Sequence, residues 1–179
     1  EKPEHPRSNL ASMGIYIFNW KTLKDALIAN ANEPHLDFGK HVIPYCHDKG
    51  APMYAYEFNG YWKDVGTLNS YWQANMELID IVPEFNLYEE YWKIYTRSEA
   101  LPPQYYAAGS VIEKSIVGEG TDIYGKVYNS VIGCDVTIGE GTVIRDSIIM
   151  NNSVIEDDAY IKNAIIDKES IVKKGFYFG

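Results

Sequence analysis

The chain has 179 residues, 46% hydrophobic and 14% aromatic, enough for one large or two small globular cores. Its formal net charge of −9 leaves no basic stripe for a nucleic-acid backbone or an anionic lipid surface, and no apolar run approaches the roughly 18 residues that span a bilayer. Cys46 and Cys134 lie far apart, in neither a disulfide framework nor zinc-binding spacing; with no signal peptide, this predicts a cytoplasmic protein.

The chain opens at Glu1-Lys2-Pro3 without an initiator methionine, so it is expected to be a piece whose upstream part is missing. Taken alone, Glu1-Lys2-Pro3 reads as an exposed ion pair in a loop. Residues 10–18, Leu10 to Phe18, form an apolar run that suits a buried strand, and the hydroxyl of Ser12 within it needs a partner, for which a ligand oxygen is one option. Asn19 can cap a helix with Trp20, Leu23, Leu27 and Ile28 along one stripe. Asp37 is placed to cap a second, Phe38 to Tyr45, limited or kinked by Pro44 and closed by Gly50. Tyr54, Tyr56 and Phe58 then alternate as on one face of a strand. Strand, helix, helix, strand is an α/β layer.

After the turn at Asn59-Gly60, Thr67 is a good N-cap for an amphipathic helix from Leu68 to Asp80 that Pro83 stops. Just before it lies Asp64. An aspartate beside a turn often caps backbone N–H groups, yet a carboxylate preceding a glycine and a helix start also sits where open α/β sheets place their ligands. The stretch from Pro83 to Gly109 carries Tyr88, Tyr91, Trp92, Tyr95, Pro102, Pro103, Tyr105 and Tyr106, and is expected to be packed between two domains.

The last third repeats a polar or small step followed by two aliphatics: Lys114-Ser115-Ile116-Val117, Asn129-Ser130-Val131-Ile132, Asp146-Ser147-Ile148-Ile149 and Asn163-Ala164-Ile165-Ile166, spaced 15, 17 and 17 residues apart. Within the repeats aliphatics recur every six residues, as in Ile132, Ile138, Ile144 and Ile149, Ile155, Ile161. Six is a multiple of the strand period and smears around a helix, so the segment is β, and strands this short bury a face only by stacking coil on coil. A parallel β-helix follows. Gly118, Gly120, Gly133, Gly139, Gly141, Asn151-Asn152 and Asp157-Asp158 fall at its corners. The best-known enzymes built on such repeats are acyltransferases with a histidine base on a coil, but His5, His35, His41 and His47 all precede the repeat. The β-helix therefore reads as a packing or oligomerisation module.

Glu1-Lys2-Pro3, Ser8-Asn9-Leu10-Ala11-Ser12-Met13-Gly14-Ile15-Tyr16, Asp37-Phe38-Gly39-Lys40, Gly60-Tyr61-Trp62-Lys63-Asp64-Val65-Gly66-Thr67 and Pro102-Pro103-Gln104-Tyr105, followed by the repeat, closely resemble the C-terminal part of the bacterial glucose-1-phosphate adenylyltransferases. The resemblance covers essentially the whole chain. Glu-Lys-Pro is shared across sugar nucleotidyltransferases, whereas Ala-Ser-Met-Gly-Ile-Tyr and Pro-Pro-Gln-Tyr point to the adenylyl, glucose-specific branch.

The resemblance implies the C-terminal portion of a Rossmann-like nucleotidyltransferase domain over residues 1–82, a connection over 83–109 and a left-handed parallel β-helix of hexapeptide repeats over 110–179. It implies transfer of AMP from ATP to glucose 1-phosphate, with release of pyrophosphate and formation of ADP-glucose for glycogen. Lys2 would pair with the phosphate of glucose 1-phosphate, Glu1 would accept from sugar hydroxyls, and Ser12 would add a sugar contact. Asp64 would ligate Mg²⁺, with a partner aspartate from upstream. No Gly-Gly-x-Gly-x-Arg segment is present to hold the nucleotide, so these 179 residues are expected to be inactive alone. The family forms homotetramers and answers to allosteric effectors. A non-catalytic regulatory subunit of the same plan, or a transferase for another base, are the alternatives.

Overall fold

The computed structural model describes residues 8–80, 83–87, 89–97 and 100–179, and in it the six-residue aliphatic rhythm closes into a parallel β-helix of short strands. One sheet stacks Tyr105–Tyr106, Asp122–Ile123, Thr137–Ile138, Val154–Ile155 and Ile171–Val172. A second stacks Val111–Glu113, Lys126–Tyr128, Val143–Arg145, Tyr160–Lys162 and Tyr177–Phe178. The third stacks Ile116–Val117, Val131–Ile132, Ile148–Ile149 and Ile165–Ile166, in the order and register of the repeat. Ile123, Ile132, Ile138, Ile144, Ile149, Ile155 and Ile161 point into one continuous buried core.

The short first spacing has a local cause. Between Ile123 and Val127 the corner is Tyr124-Gly125-Lys126, two residues shorter than the matching corner from Ile138 to Ile144. Val127 therefore occupies the buried column that the six-residue count from Ile123 passes over. Gly125 makes the tight corner possible: a Cβ there would lie 2.5 Å from the Thr142 carbonyl oxygen and 2.8 Å from that of Gly139.

Other corners turn through left-handed backbone. Lys114, Asn129, Asp146 and Asn163, one per coil, have φ of 45°, 45°, 48° and 52°, a region that Asn and Asp tolerate better than most residues. The following small residue is as regular. Ser130 Oγ donates to the Tyr128 carbonyl at 2.7 Å and accepts the Ser147 N–H of the next coil at 3.1 Å. Ser147 Oγ donates to the Arg145 carbonyl at 2.6 Å and accepts from Ala164 N at 3.1 Å. Both serines are fully buried, and the ladder stops where the repeat substitutes Ala164. At another corner Lys173 and the Lys174 backbone hold the Glu156 carboxyl below the usual range, while Asp158 and Asp157 raise Lys174.

The chain divides into two compact units, Glu1–Trp62 and Lys63–Gly179. In the first, helix α1 (Trp20–Ala29) starts at Asn19, whose side chain accepts from Lys21 N, as expected. Ala26 is its one buried residue, with Leu23 and Leu27 packed beside it, whereas the predicted stripe members Trp20 and Ile28 are exposed. Asp37 caps a second segment through Lys40 N, but its first turn, Phe38–Val42, is a π-helix that passes into helix α2 (Ile43–Asp48). Pro44, which has no N–H to donate, falls in the first turn of α2, so it opens that helix rather than limiting or kinking one. Gly50, at φ 69°, closes the segment.

Neither strand expected in this unit forms. Residues 10–18 and 53–58 carry no strand, and Ile17 is 100% and Tyr54 93% exposed. A strand is made by ladder partners, and among the described residues these runs have none.

In the second unit, helix α3 (Leu68–Glu77) begins at Thr67 as predicted and ends well before Pro83. Trp72 Nε1 on α3 donates to the Asp146 carbonyl at 2.8 Å, which puts this helix in the same unit as the β-helix. The connection is also split. Gln104 Nε2 donates to the Val117 carbonyl, Gly120 N donates to that of Pro102, and Tyr105–Tyr106 pair with Asp122–Ile123, so the stacking begins at Tyr105 rather than at residue 110. Tyr91, Trp92 and Tyr95 are instead exposed, against the expected packing, and Tyr88 lies outside the described residues.

Candidate functional site

Of the four predicted site residues, Glu1 and Lys2 lie outside the described residues, while Ser12 and Asp64 are described and belong to different units. Ser12 sits on the exposed run before α1. Its Oγ accepts the Gly14 N–H at 3.2 Å and lies 3.2 Å from Tyr16 Oη. The Tyr16 ring stacks on Phe38, with centroids 5.8 Å apart and planes 5° from parallel, and Phe18 leans against Phe38 at 5.8 Å. Two of the motif segments, Ser8 to Tyr16 and Asp37 to Lys40, are thereby joined through their aromatic rings.

The pairing of Tyr16 with Phe38 was not foreseen from the sequence. Tyr16 closes the Ala-Ser-Met-Gly-Ile-Tyr segment and Phe38 follows the capping Asp37, so their positions inside the motifs were the available signal. Beside them, Glu33, Pro34, His35, Leu36, Asp37, Lys40 and His41 line an open concavity of about 620 Å³. The lone pair on His41 Nδ1 accepts the Asp37 N–H at 3.0 Å, and its Nε2 lies 3.8 Å from Glu33. Ser12 does not line this concavity.

Asp64 is exposed on the loop that enters α3, and its Oδ1 accepts the Gly66 N–H at 2.9 Å. The loop is clamped at both ends. On one side Lys63 forms an ion pair with Glu77 at the end of α3. On the other, Thr67 Oγ1 accepts from Ser70 N and the Ser70 hydroxyl accepts from Thr67 N, each at 3.2 Å, making a reciprocal capping box.

This arrangement fits one role for Mg²⁺ and excludes another. No group of three or more His, Cys, Asp or Glu is placed to hold a metal among the described residues, so no all-protein cage is built here. Mg²⁺, however, commonly keeps several waters and takes one or two carboxylates together with substrate phosphates. Asp64, with Oδ1 engaged by its own loop and Oδ2 available, suits a single-oxygen ligand of that kind. Nor is any helix among the described residues long and apolar enough to cross a membrane.

Known proteins resemble the chain along both units. Residues 1–81 match the family described as "Nucleotidyl transferase", and residues 104–179 match "GlmU-like, C-terminal hexapeptide". A glucose-1-phosphate adenylyltransferase of Lachnospira eligens is 68% identical over 140 residues, covering 78% of this chain and 33% of that protein. Proteins of the same name from Acetivibrio thermocellus and Thermotoga maritima are 52% and 53% identical, over 85% and 81% of this chain. The chain spans about a third of the length of these curated relatives, 33–36%.

Proposed function

We propose that the chain is part of a glucose-1-phosphate adenylyltransferase, and that the protein containing it transfers AMP from ATP to glucose 1-phosphate. The observation that carries this reading is the 68% identity to a relative of that name. In the reaction a phosphate oxygen of glucose 1-phosphate attacks the α-phosphorus of ATP, the bond to the β-phosphate oxygen breaks, and pyrophosphate leaves with the electron pair. Alignment of the attacking oxygen and neutralisation of charge account for the acceleration, with no covalent protein intermediate required.

Lys2 neutralises the phosphate of glucose 1-phosphate, and Glu1 accepts hydrogen bonds from the sugar hydroxyls. Ser12, held beside Tyr16, donates to the same sugar. Asp64 would hold Mg²⁺, which would supply positive charge against the transferring phosphates. Homotetramer formation belongs to this reading, with the β-helix as the packing module.

Pyrophosphate release tests the assignment. The parent protein, given Mg²⁺ and glucose 1-phosphate, is expected to release pyrophosphate with ATP and far less with UTP, GTP, CTP or dTTP. Equal release with another nucleotide would move the assignment to a transferase for that base. Silence with all five would support a regulatory subunit.

A further inference from the structure

The two clamps on the Asp64 loop lead back to the β-helix. Trp72 on α3 and Asp80, three residues past its end at Glu77, each contact it at the left-handed corner that precedes the third sheet. Trp72 Nε1 donates to the carbonyl of Asp146, and Lys114 Nζ lies 3.4 Å from Asp80 Oδ1. Asp146 and Lys114 occupy the same corner two coils apart, about 10 Å at the usual strand spacing. Trp72 and Asp80 thus meet the same corner at two different coils, so this segment lies against that corner of the stack.

The two contacts differ in weight. Lys114 and Asp80 are each about 60% exposed, and such surface pairs contribute little. The Trp72 N–H is half-buried and bonded to a main-chain oxygen whose position the coil dictates. From α3 the restraint passes to the loop through Glu77 to Lys63, the residue adjacent to Asp64, and through the Thr67 capping box three residues beyond it.

We propose that Trp72 and Lys63 are positioning residues that fix the Asp64 carboxylate by anchoring its loop, through α3, to the Asp146 corner of the β-helix. The inference rests on the reading of Asp64 as the metal ligand. It gives the β-helix a part in the chemistry: the stacked coils are the rigid body against which one carboxylate is held.

The test uses the full-length parent protein loaded with ADP-glucose, with Mn²⁺ as a paramagnetic probe read by electron paramagnetic resonance. Asp64→Asn sets the reference and is expected to abolish tight Mn²⁺ binding. Lys63→Met is expected to weaken Mn²⁺ affinity about tenfold, the usual cost of removing a partner that orients a metal ligand. Trp72→Phe, which keeps the ring and loses only the N–H, is expected to weaken it about three- to tenfold, the equivalent of one net hydrogen bond. Lys63→Glu combined with Glu77→Lys, which restores the pair in reverse, should recover most of the affinity.

If Lys63→Met and Trp72→Phe lower the melting temperature but leave Mn²⁺ affinity intact while Asp64→Asn abolishes it, the two residues are merely structural and the proposal fails alone. If Asp64→Asn binds Mn²⁺ as well as the unaltered protein, the metal reading falls and takes the proposal with it. Should Lys63→Met fail to fold, Glu77→Gln, which removes the other half of the ion pair, together with Trp72→Phe, supplies the same comparison.

Discussion

Ser130 and Ser147 show how the β-helix satisfies polar groups in a place without water. Each hydroxyl is wholly buried, donates to the carbonyl two residues behind it and accepts an N–H from the coil above. Without that hydroxyl the N–H of the next coil loses this partner. Ser147→Ala is therefore expected to destabilise the protein by about 1–3 kcal/mol, the cost of a buried unsatisfied donor. Chemical denaturation of the parent protein reads this directly. Ser115, half-buried in an outer coil, should cost less on the same substitution.

At the scale of elements, the segments that carry their own punctuation formed where their residues dictated. Asn19, Asp37 and Thr67 each cap a helical segment through a side-chain oxygen, and Gly50 closes one at positive φ. A cap and its helix are neighbours in sequence, so they are readable there. The apolar runs at 10–18 and 53–58 were not readable in this way, because apolar character is shared by strands and by segments awaiting partners. The corner at Gly125 is a third case: its tightness shows in the 15-residue spacing, but the reason for glycine lies one coil away, in the Thr142 and Gly139 carbonyls. Gly125→Ala is expected to cost about 1–3 kcal/mol as those backbones are pushed apart, measured as a lowered unfolding midpoint with an unchanged denaturant slope.

Across the whole molecule, stability is distributed as in other solenoids, where each coil rests only on its neighbours. Ile144, fully buried, meets neighbours on the coils above and below. Ile144→Ala is expected to cost about 2–5 kcal/mol and to loosen the stack as a unit. Amide hydrogen exchange reads this, with protection expected to fall throughout the central coils.

What the sequence determined by itself is whatever recurs or is signalled locally: the β-helix, its register in the third sheet, most corner positions and the helix starts. Periodicity is information repeated in every coil, so one chain contains enough copies to be read. The tertiary structure alone decided the rest. It placed Tyr16 on Phe38 and α3 against the Asp146 corner, and left residues 10–18 and 53–58 unpaired. Each of those depends on groups 22 to 74 residues apart, or on a partner strand, meeting in space. A single contact of that kind has no echo in the sequence, and only the packing that brings its two sides together can specify it.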